Sequence, residues 1–170
     1  MVSLAKYQNR NIAIYGMGLS GCSVAKTLKK MSKYLKKDGM ILINEPEISI
    51  IYRFILYILK DEPWSLKTNI FNSKKNIFRS NNLWMANVAT ARLLFKDENK
   101  FHSHFPQYTI IKNELSEFLI FLNSGGVVQK IFHIPVNKLF FNLLYCIDQV
   151  LIFLLPNIFA LGRTVVLKKK

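Results

Sequence analysis

The sequence predicts an α/β fold, in which a few buried parallel strands alternate with helices. An apolar run over residues 11–15 leads into a glycine-rich segment and then into a stretch with helical periodicity, over about 19–36. A second apolar run, 40–44, is typical of a central strand that is buried on both faces. Because a strand, a crossover helix and a second strand follow in this order, we expect the two strands to pair in parallel.

The rest of the chain predicts further helices, a polar loop and a last strand. Helical spacing of apolar residues predicts helices over 48–60, 83–95 and 113–123. The polar segment 65–82 predicts a loop, and 105–111 predicts the start of a strand. Residues 163–168 predict a strand that closes the sheet at one edge. The expected architecture is an incomplete Rossmann-like parallel sheet with a helical insertion and a closing antiparallel edge strand.

Composition limits the classes of partner. The chain has 170 residues, of which 51% are hydrophobic, enough for the core of one domain or of a piece of a larger one. Its formal net charge of +14 favours anions such as nucleotides, nucleic acid or an acidic membrane surface. The basic residues are spread along the chain, which is typical of a solvated surface and does not predict a specific nucleic-acid site.

Cysteine and histidine usage predicts neither a disulfide framework nor a metal site. Cys22 and Cys146 lie far apart without a C-x-x-C motif, which favours a reducing cytoplasm. His102-Ser-His104 offers two metal ligands on one side of a strand, but no third ligand stands at a matching distance. No secretory signal segment is predicted.

The very apolar segment 139–155 predicts a long helix. Asp148 near its centre would be costly in lipid, which disfavours a membrane-spanning helix. Two alternatives remain open: a helix packed in the core, which is the more common case, and a helix that lies in the membrane interface. The second alternative predicts a cytoplasmic protein that contacts the membrane peripherally through 139–155.

The glycine-rich segment Gly16-x-Gly18-x-x-Gly21 predicts a small-molecule site for a nucleotide-type ligand. The first glycine permits a tight turn from strand to helix, the second lets the backbone approach a phosphate, and the third lets the helix pack on the strand. Glu45 follows Gly21 by 24 residues, close to the spacing at which an acidic residue binds a ribose hydroxyl in dinucleotide folds. The candidate ligand-binding residues are Gly16, Gly18, Ser20, Gly21 and Glu45. No residue has the surroundings of a catalytic nucleophile, so no catalytic residue is assigned.

Residues from about 31 to 170 resemble the C-terminal half of a class I S-adenosylmethionine-dependent methyltransferase. The resemblance rests on Tyr34-Leu-Lys-Lys-Asp-Gly39-Met-Ile-Leu-Ile-Asn-Glu45-Pro46, on Ser124-Gly125-Gly126-Val127 and on Arg163-Thr-Val-Val-Leu-Lys168. In that family a helix ends in Leu-Lys-x-Gly-Gly and feeds a strand that closes with Glu-Pro, and a helical lid precedes a final antiparallel pair of strands. Here Asp38 replaces the first glycine. The resemblance implies S-adenosylmethionine as cofactor and methyl transfer as the reaction.

Residues 1–30 resemble the N-terminus of the UDP-N-acetylmuramoylalanine–D-glutamate ligases. The resemblance rests on Lys6-Tyr-Gln-Asn-Arg10-Asn-Ile-Ala-Ile-Tyr-Gly16-Met-Gly18-Leu-Ser20-Gly21-Cys-Ser-Val-Ala-Lys26-x-Leu28. In that family the glycine-rich turn serves a uridine nucleotide, and ATP is bound by a Gly-x-x-x-x-Gly-Lys-Ser/Thr loop. The chain contains no such loop, so ligase activity is not expected from it.

The two resemblances divide the chain at about residue 30. About 20 residues separate Gly21 from Ile41, which is room for one helix but not for the three strands that precede the Glu-Pro strand in the methyltransferases. We therefore expect a truncated or chimeric methyltransferase-like protein that lacks most of its cofactor half. The alternatives are a nucleotide-binding remnant of a ligase of peptidoglycan synthesis and a non-enzymatic basic protein of the membrane surface.

Overall fold

The computed structural model describes residues 12–15, 27–59, 63–71, 87–123 and 135–170. They form a mixed fold of helices and strands around one four-stranded sheet. The strands are β1 (Ile12–Tyr15), β2 (Met40–Pro46), β3 (Tyr108–Ser116) and β4 (Gly162–Lys169).

The helices fall largely where apolar periodicity predicts them. Besides a helical segment over 27–31, the described residues form α1 (Ile50–Leu59), α2 (Thr90–Phe95), α3 (Glu98–His104), α4 (Leu119–Asn123), α5 (Lys138–Leu154) and α6 (Pro156–Phe159). Polar side chains cap three of them. Ser49, Asp97 and Asn137 each accept a hydrogen bond from the backbone N–H three residues further on, which satisfies a donor that the first helical turn leaves free.

The parallel pairing of the first two strands is confirmed. β1 pairs with β2 in a register that joins Ile12 to Ile41 and Tyr15 to Asn44. The crossover between them contains a helical segment over 27–31 and then turns, so the helix predicted to reach residue 36 ends earlier. Ser32 contributes to this end, because its Oγ donates to the carbonyl of Lys29 at 2.7 Å.

The turn before β2 is tightly constrained at two residues. Asp38 has φ 64°, the left-handed conformation that glycine adopts most readily. Gly39 has no room for a side chain, because a Cβ there would lie 2.9 Å from the carbonyl oxygen of Lys36. The Asp38 carboxylate lies 2.8 Å from Nζ of Lys168 on β4, and this contact lowers the pKa of Asp38. The turn is thereby tied to the last strand.

The sheet is not the predicted parallel sheet with an antiparallel strand at its edge. The strand order is β1-β2-β4-β3, and β4 runs antiparallel to both β2 and β3. β4 is a strand as predicted, but it lies inside the sheet, because β3 takes the outer position. β1 and β2 are the one parallel pair among neighbouring strands of the described residues.

β3 and the segments beside it differ from the sequence prediction. The helix predicted over 113–123 is wrong for its first part: the strand continues to Ser116 and the helix is confined to Leu119–Asn123. Pairing with β4 gives this segment strand hydrogen bonds along one side, which outweigh its local helical pattern. A register shift between Ile110 and Lys112 further obscures the period of two that would have marked a strand.

His102 and His104 lie on α3, not on a strand. Two residues apart on a helix, their side chains point about 160° apart around the helix axis, so they do not share one side. The His104 ring stacks on Phe71 with its centroid 4.1 Å away. Within the described residues, no group of three or more His, Cys, Asp or Glu side chains could hold a metal ion.

Aromatic side chains of the α2–α3–β3 segment lie in the larger of the two clusters of buried apolar residues. Phe95, Phe101 and Phe105 are fully buried, with successive ring centroids 5.2 and 5.0 Å apart. They pack with Ile41 of β2 and Leu167 of β4. A second apolar cluster forms beneath α1 and α4.

α5 is the predicted long helix, but it is not packed in the core. Within it only Asp148 and Ile152 are buried, whereas most of its apolar side chains are exposed; Leu139 is 81% and Phe153 85% accessible. The helix touches the rest of the protein along one narrow stripe, which leaves the remaining circumference in contact with solvent. No helix of the described residues combines the length and the apolar character that crossing a membrane requires.

Replacing Tyr108 with Phe tests the link between β3 and the first crossover. The buried hydroxyl of Tyr108 donates to the carbonyl of Leu28 at 2.8 Å, and burial raises the pKa of this phenol. We expect Tyr108→Phe to lower the free energy of unfolding by about 1–3 kcal/mol, because the carbonyl loses its partner. Chemical denaturation measures the change. Tyr57→Phe is the control, since Tyr57 is 77% exposed, and an equal loss in both variants would contradict the assignment.

Candidate functional site

The carboxyl ends of three strands meet at one edge of the sheet. β1 ends at Tyr15, which pairs with Asn44 near the end of β2. Pro46 and Ser116, the last residues of β2 and β3, both pair with Gly162, the first residue of β4. Ligands of α/β sheets bind outside the carboxyl ends of parallel strands. This carboxyl edge is therefore the candidate site.

Of the predicted ligand-binding residues, Glu45 lies on the carboxyl edge. It is half-buried and stands opposite Arg163 in the register of β2 and β4. The preceding residue, Asn44, accepts a hydrogen bond from the hydroxyl of Thr164 at 3.3 Å. The other four predicted residues, Gly16, Gly18, Ser20 and Gly21, lie outside the described residues. β1 ends at Tyr15, the residue before Gly16 in the sequence.

Glu47, just beyond the end of β2, is the centre of a buried ion-pair network. Its side chain is fully buried, and each carboxylate oxygen accepts from a different guanidinium group. Oε1 lies 2.7 Å from Nη1 of Arg92 on α2, and Oε2 lies 2.6 Å from Nε of Arg163 on β4. Such pairing is what a buried carboxylate requires, because an unpaired charge in the interior costs several kcal/mol.

Asn113 carries the network on to β3. Its Oδ1 accepts from Nη1 of Arg163 at 2.6 Å, and its Nδ2 donates to the carbonyl of Phe95 and to Oε1 of Glu98. Arg92 also donates to Asn157 of α6 at 3.3 Å. The network thus joins β2, β3 and β4 to the helices beside the carboxyl edge. With both oxygens engaged and no accessible surface, Glu47 stabilises the edge and does not face a ligand.

Asp148 of α5 forms a second buried polar centre. Its carboxylate accepts hydrogen bonds from the backbone N–H groups of Phe118, Leu119 and Ile120, at 3.0, 2.8 and 3.1 Å. These groups belong to the first turn of α4, where free donors and the helix dipole favour a negative charge. The acidic residue in the apolar helix therefore caps the start of another helix.

Glu117 lies between the end of β3 and α4, in a strained backbone conformation. Its φ of 58° falls in the left-handed region, and its carbonyl accepts from the N–H of Leu161 at 2.8 Å. Burial and the nearby charge of Asp148 raise the pKa of Glu117. Gly162 lies against this turn, since a Cβ there would come within 3.0 Å of the Ser116 hydroxyl. A side chain at Gly162 would therefore require Ser116 to shift by a few tenths of an ångström.

Sequence reasoning missed the partners in both polar centres. Arg92 and Arg163 are 45 and 116 residues away from Glu47 in the chain, and Asp148 is about 30 residues from the turn that it caps. One signal was available: a carboxylate inside an apolar segment must be paired or hydrogen-bonded. That signal applies to Glu47 before Ile48 and to Asp148 within α5, but it does not identify the partner.

Comparisons with known proteins do not assign the carboxyl edge. No model of a known protein family matches the chain, and no curated protein is significantly similar to it. The interpretation of the edge therefore rests on its geometry and on the residue types that form it.

Replacing Glu47 with Gln tests the ion-pair network. The variant keeps the shape of the side chain but leaves two largely buried guanidinium groups without a counter-charge. We expect the free energy of unfolding to fall by about 3–5 kcal/mol, measured by urea denaturation. Glu114→Gln makes the same chemical change in an exposed pair with Lys112 and should cost about 0–1 kcal/mol. Similar losses in the two variants would show that the network does not stabilise the fold.

Replacing Glu117 with Gln tests the pKa shift at the turn. The pKa of Glu117 is raised in the folded state. Between the usual value of 4.5 and this raised pKa, the folded state binds more protons than the unfolded state, so the free energy of unfolding falls as pH rises. Glu117→Gln removes this fall, so we expect the variant to be more stable than the wild type at pH 7, with no gain below about pH 4. Denaturation curves across this range measure the difference. Glu117→Asp keeps the carboxyl group and should keep the pH dependence; a pH-independent gain in Glu117→Gln would contradict the interpretation.

Proposed function

We propose that the chain is a relative of the class I S-adenosylmethionine-dependent methyltransferases and binds a nucleoside-type ligand, S-adenosylmethionine, at the carboxyl edge. The observation that carries this proposal is the parallel register of β1 and β2. It pairs Tyr15 with Asn44, so that the glycine-rich segment follows one strand where the neighbouring strand reaches Glu45. Glu45 and the end of the strand that leads into Gly16 in the sequence then lie at the same edge, where nucleosides bind in α/β sheets.

The residue types at the edge fit a ribosyl ligand. A half-buried carboxylate such as Glu45 accepts hydrogen bonds from ribose hydroxyl groups, and partial burial strengthens these bonds relative to water. Gly16, Gly18, Ser20 and Gly21 would supply a backbone that a ligand can approach closely. The neighbouring network around Glu47 holds the end of β2 in place, which keeps the Glu45 backbone fixed when a ligand arrives.

Four features support the relation to the methyltransferases. β2 ends in Glu45-Pro46, and the turn before it adopts a left-handed conformation at Asp38, where the family has a glycine. The last two strands, β3 and β4, form an antiparallel pair, and helices precede the final strand, as the resemblance implies. We further propose that β1 and β2 are what this chain retains of a Rossmann-like parallel sheet.

Bound S-adenosylmethionine would supply an activated methyl group on its sulfonium centre. The described residues would bind and orient the nucleoside part, and none of them is assigned a catalytic role. Methyl transfer depends largely on positioning the two reactants, so that it does not require a protein nucleophile. The methyl acceptor is left open by this proposal.

A second candidate is nucleotide binding of the kind that the ligase-like N-terminus implies. The net charge of +14 favours an anionic ligand such as a uridine diphosphate compound. The same carboxyl edge and the same Glu45 would serve this ligand, so the two candidates differ in the ligand and not in the location.

A thermal-shift titration with S-adenosylmethionine tests the proposal, with the UDP-muramoyl substrate of the ligases titrated in parallel. A ligand that binds only the folded state stabilises it by about 2.7 kcal/mol at 100 times its dissociation constant. We expect a saturable shift with S-adenosylmethionine, and about tenfold or greater weakening in Glu45→Gln, because a charged hydrogen-bond acceptor is lost. Glu114→Gln, an exposed position on β3, is the matched control.

The outcomes separate the candidates. A saturable shift with the UDP compound alone would replace the first candidate with the second. A cooperative melt that neither ligand moves would contradict both. If Glu45→Gln and Glu114→Gln reduce the thermal shift equally, the ligand does not bind at the carboxyl edge.

A further inference from the structure

The outward side of α5 is a continuous apolar surface. Six side chains lie within about 120° of one another around the helix axis; they are Leu139, Leu143, Ile147, Val150, Phe153 and Leu154, here called the outer face. Their exposed fractions run from 38% at Ile147 to 85% at Phe153. Single exposed apolar residues are normal on protein surfaces, but a contiguous patch of this kind marks an interaction site.

The opposite side of α5 is anchored to the protein by a polar contact. Asp148 points away from the outer face and holds three N–H groups of the α4 region, and Ile152 is buried beside it. The helix is thereby fixed in orientation with its single acidic side chain turned inward. A surface that meets the outer face does not have to accept a charged carboxylate.

The apolar exposure extends to a neighbouring helix. α1 exposes Ile50, Phe54, Tyr57 and Ile58, which share one side of that helix by their spacing, and their exposed fractions are 56–77%. α1 and α5 both contact α6. Two helices that both pack against α6 therefore carry large exposed apolar side chains.

The charged residues around α1 and α5 indicate which kind of partner fits these helices. α1, α4 and α6 contain no acidic residue, and the one acidic residue of α5 is 1% exposed. Arg53 on α1 and Lys138 at the start of α5 add positive charge. A second copy of a chain with net charge +14 would be repelled by the first. An anionic lipid surface attracts such a chain and accepts apolar side chains at the same time.

We propose that the outer face of α5 docks the protein on an anionic membrane surface, with the helix lying parallel to the bilayer and the outer face inserted among the headgroups. The helix of 17 residues, about 26 Å long, is long enough to lie flat over several lipids. This docking is independent of the ligand at the carboxyl edge.

Vesicle flotation of the full chain tests the docking. The protein is mixed with phosphatidylcholine vesicles that either contain or lack phosphatidylglycerol. We expect the wild type to float with the anionic vesicles only, and Leu139→Gln and Phe153→Gln each to weaken the partitioning about tenfold, because an inserted apolar side chain is made polar. Ile111→Gln is the matched control: Ile111 is 53% exposed on β3 and should leave partitioning within about twofold of the wild type. Unchanged melting temperatures would show that the variants are folded.

Three results would overturn the proposal. The first is no flotation of the folded wild type with anionic vesicles. The second is partitioning that Leu139→Gln, Phe153→Gln and Ile111→Gln affect equally, or that does not depend on phosphatidylglycerol. The third is a dimer, detected by light scattering, that Phe153→Gln disperses in the absence of vesicle binding; this would assign the outer face to a second copy of the chain.

Discussion

The buried carboxylate of Glu47 is the constraint on which the candidate site depends. A fully buried charge is stable only when it is paired, and here the partners come from α2 and β4. Through Arg163 and Asn113 the same network reaches β3. Four segments that are distant in the sequence must therefore meet at one point, and one of its members, Arg163, stands opposite Glu45 in the register of β2 and β4. The rigidity of the edge follows from the cost of leaving any one of these charges alone.

Asp148 is a second buried carboxylate with hydrogen-bond partners, and it lies at the turn that follows β3. Three backbone N–H groups donate hydrogen bonds to its buried carboxylate. These bonds hold α5 against the start of α4. The arrangement explains how a strongly apolar helix can carry an aspartate at its centre and still expose its apolar side chains. The polar residue faces the protein and the apolar residues face outward, which reverses the usual pattern of a surface helix.

The two proposed surfaces are different in chemistry and share one framework. The carboxyl edge has a half-buried carboxylate near the end of β2, whereas α5 has an apolar face without an exposed acidic group. Glu117 stands between them, because its carbonyl bonds to Leu161 before β4 and its carboxyl group is close to Asp148. The two proposals together imply a protein that binds a nucleoside at the carboxyl edge and a lipid surface through α5. The buried polar centres around Glu47 and Asp148 hold the elements that carry these two surfaces.

Local pattern alone determined much of the secondary structure. The apolar runs gave β1 and β2, helical spacing gave α1 and α5, and the strand and crossover order gave their parallel pairing. It also placed Glu45 at the end of β2. The secondary-structure inferences depend on residues that are close in the sequence, where periodicity is informative, and the pairing depends on one strand–helix–strand unit.

Only the tertiary structure decided what depends on partners far away in the chain. It placed β4 inside the sheet instead of at its edge, extended β3 through a segment with helical spacing, and put His102 and His104 on a helix. It also gave Glu47 and Asp148 their partners and left the outer face of α5 exposed. The physical reason is that burial and charge pairing are set by contacts across 30 to 116 residues, for which a local pattern carries no signal.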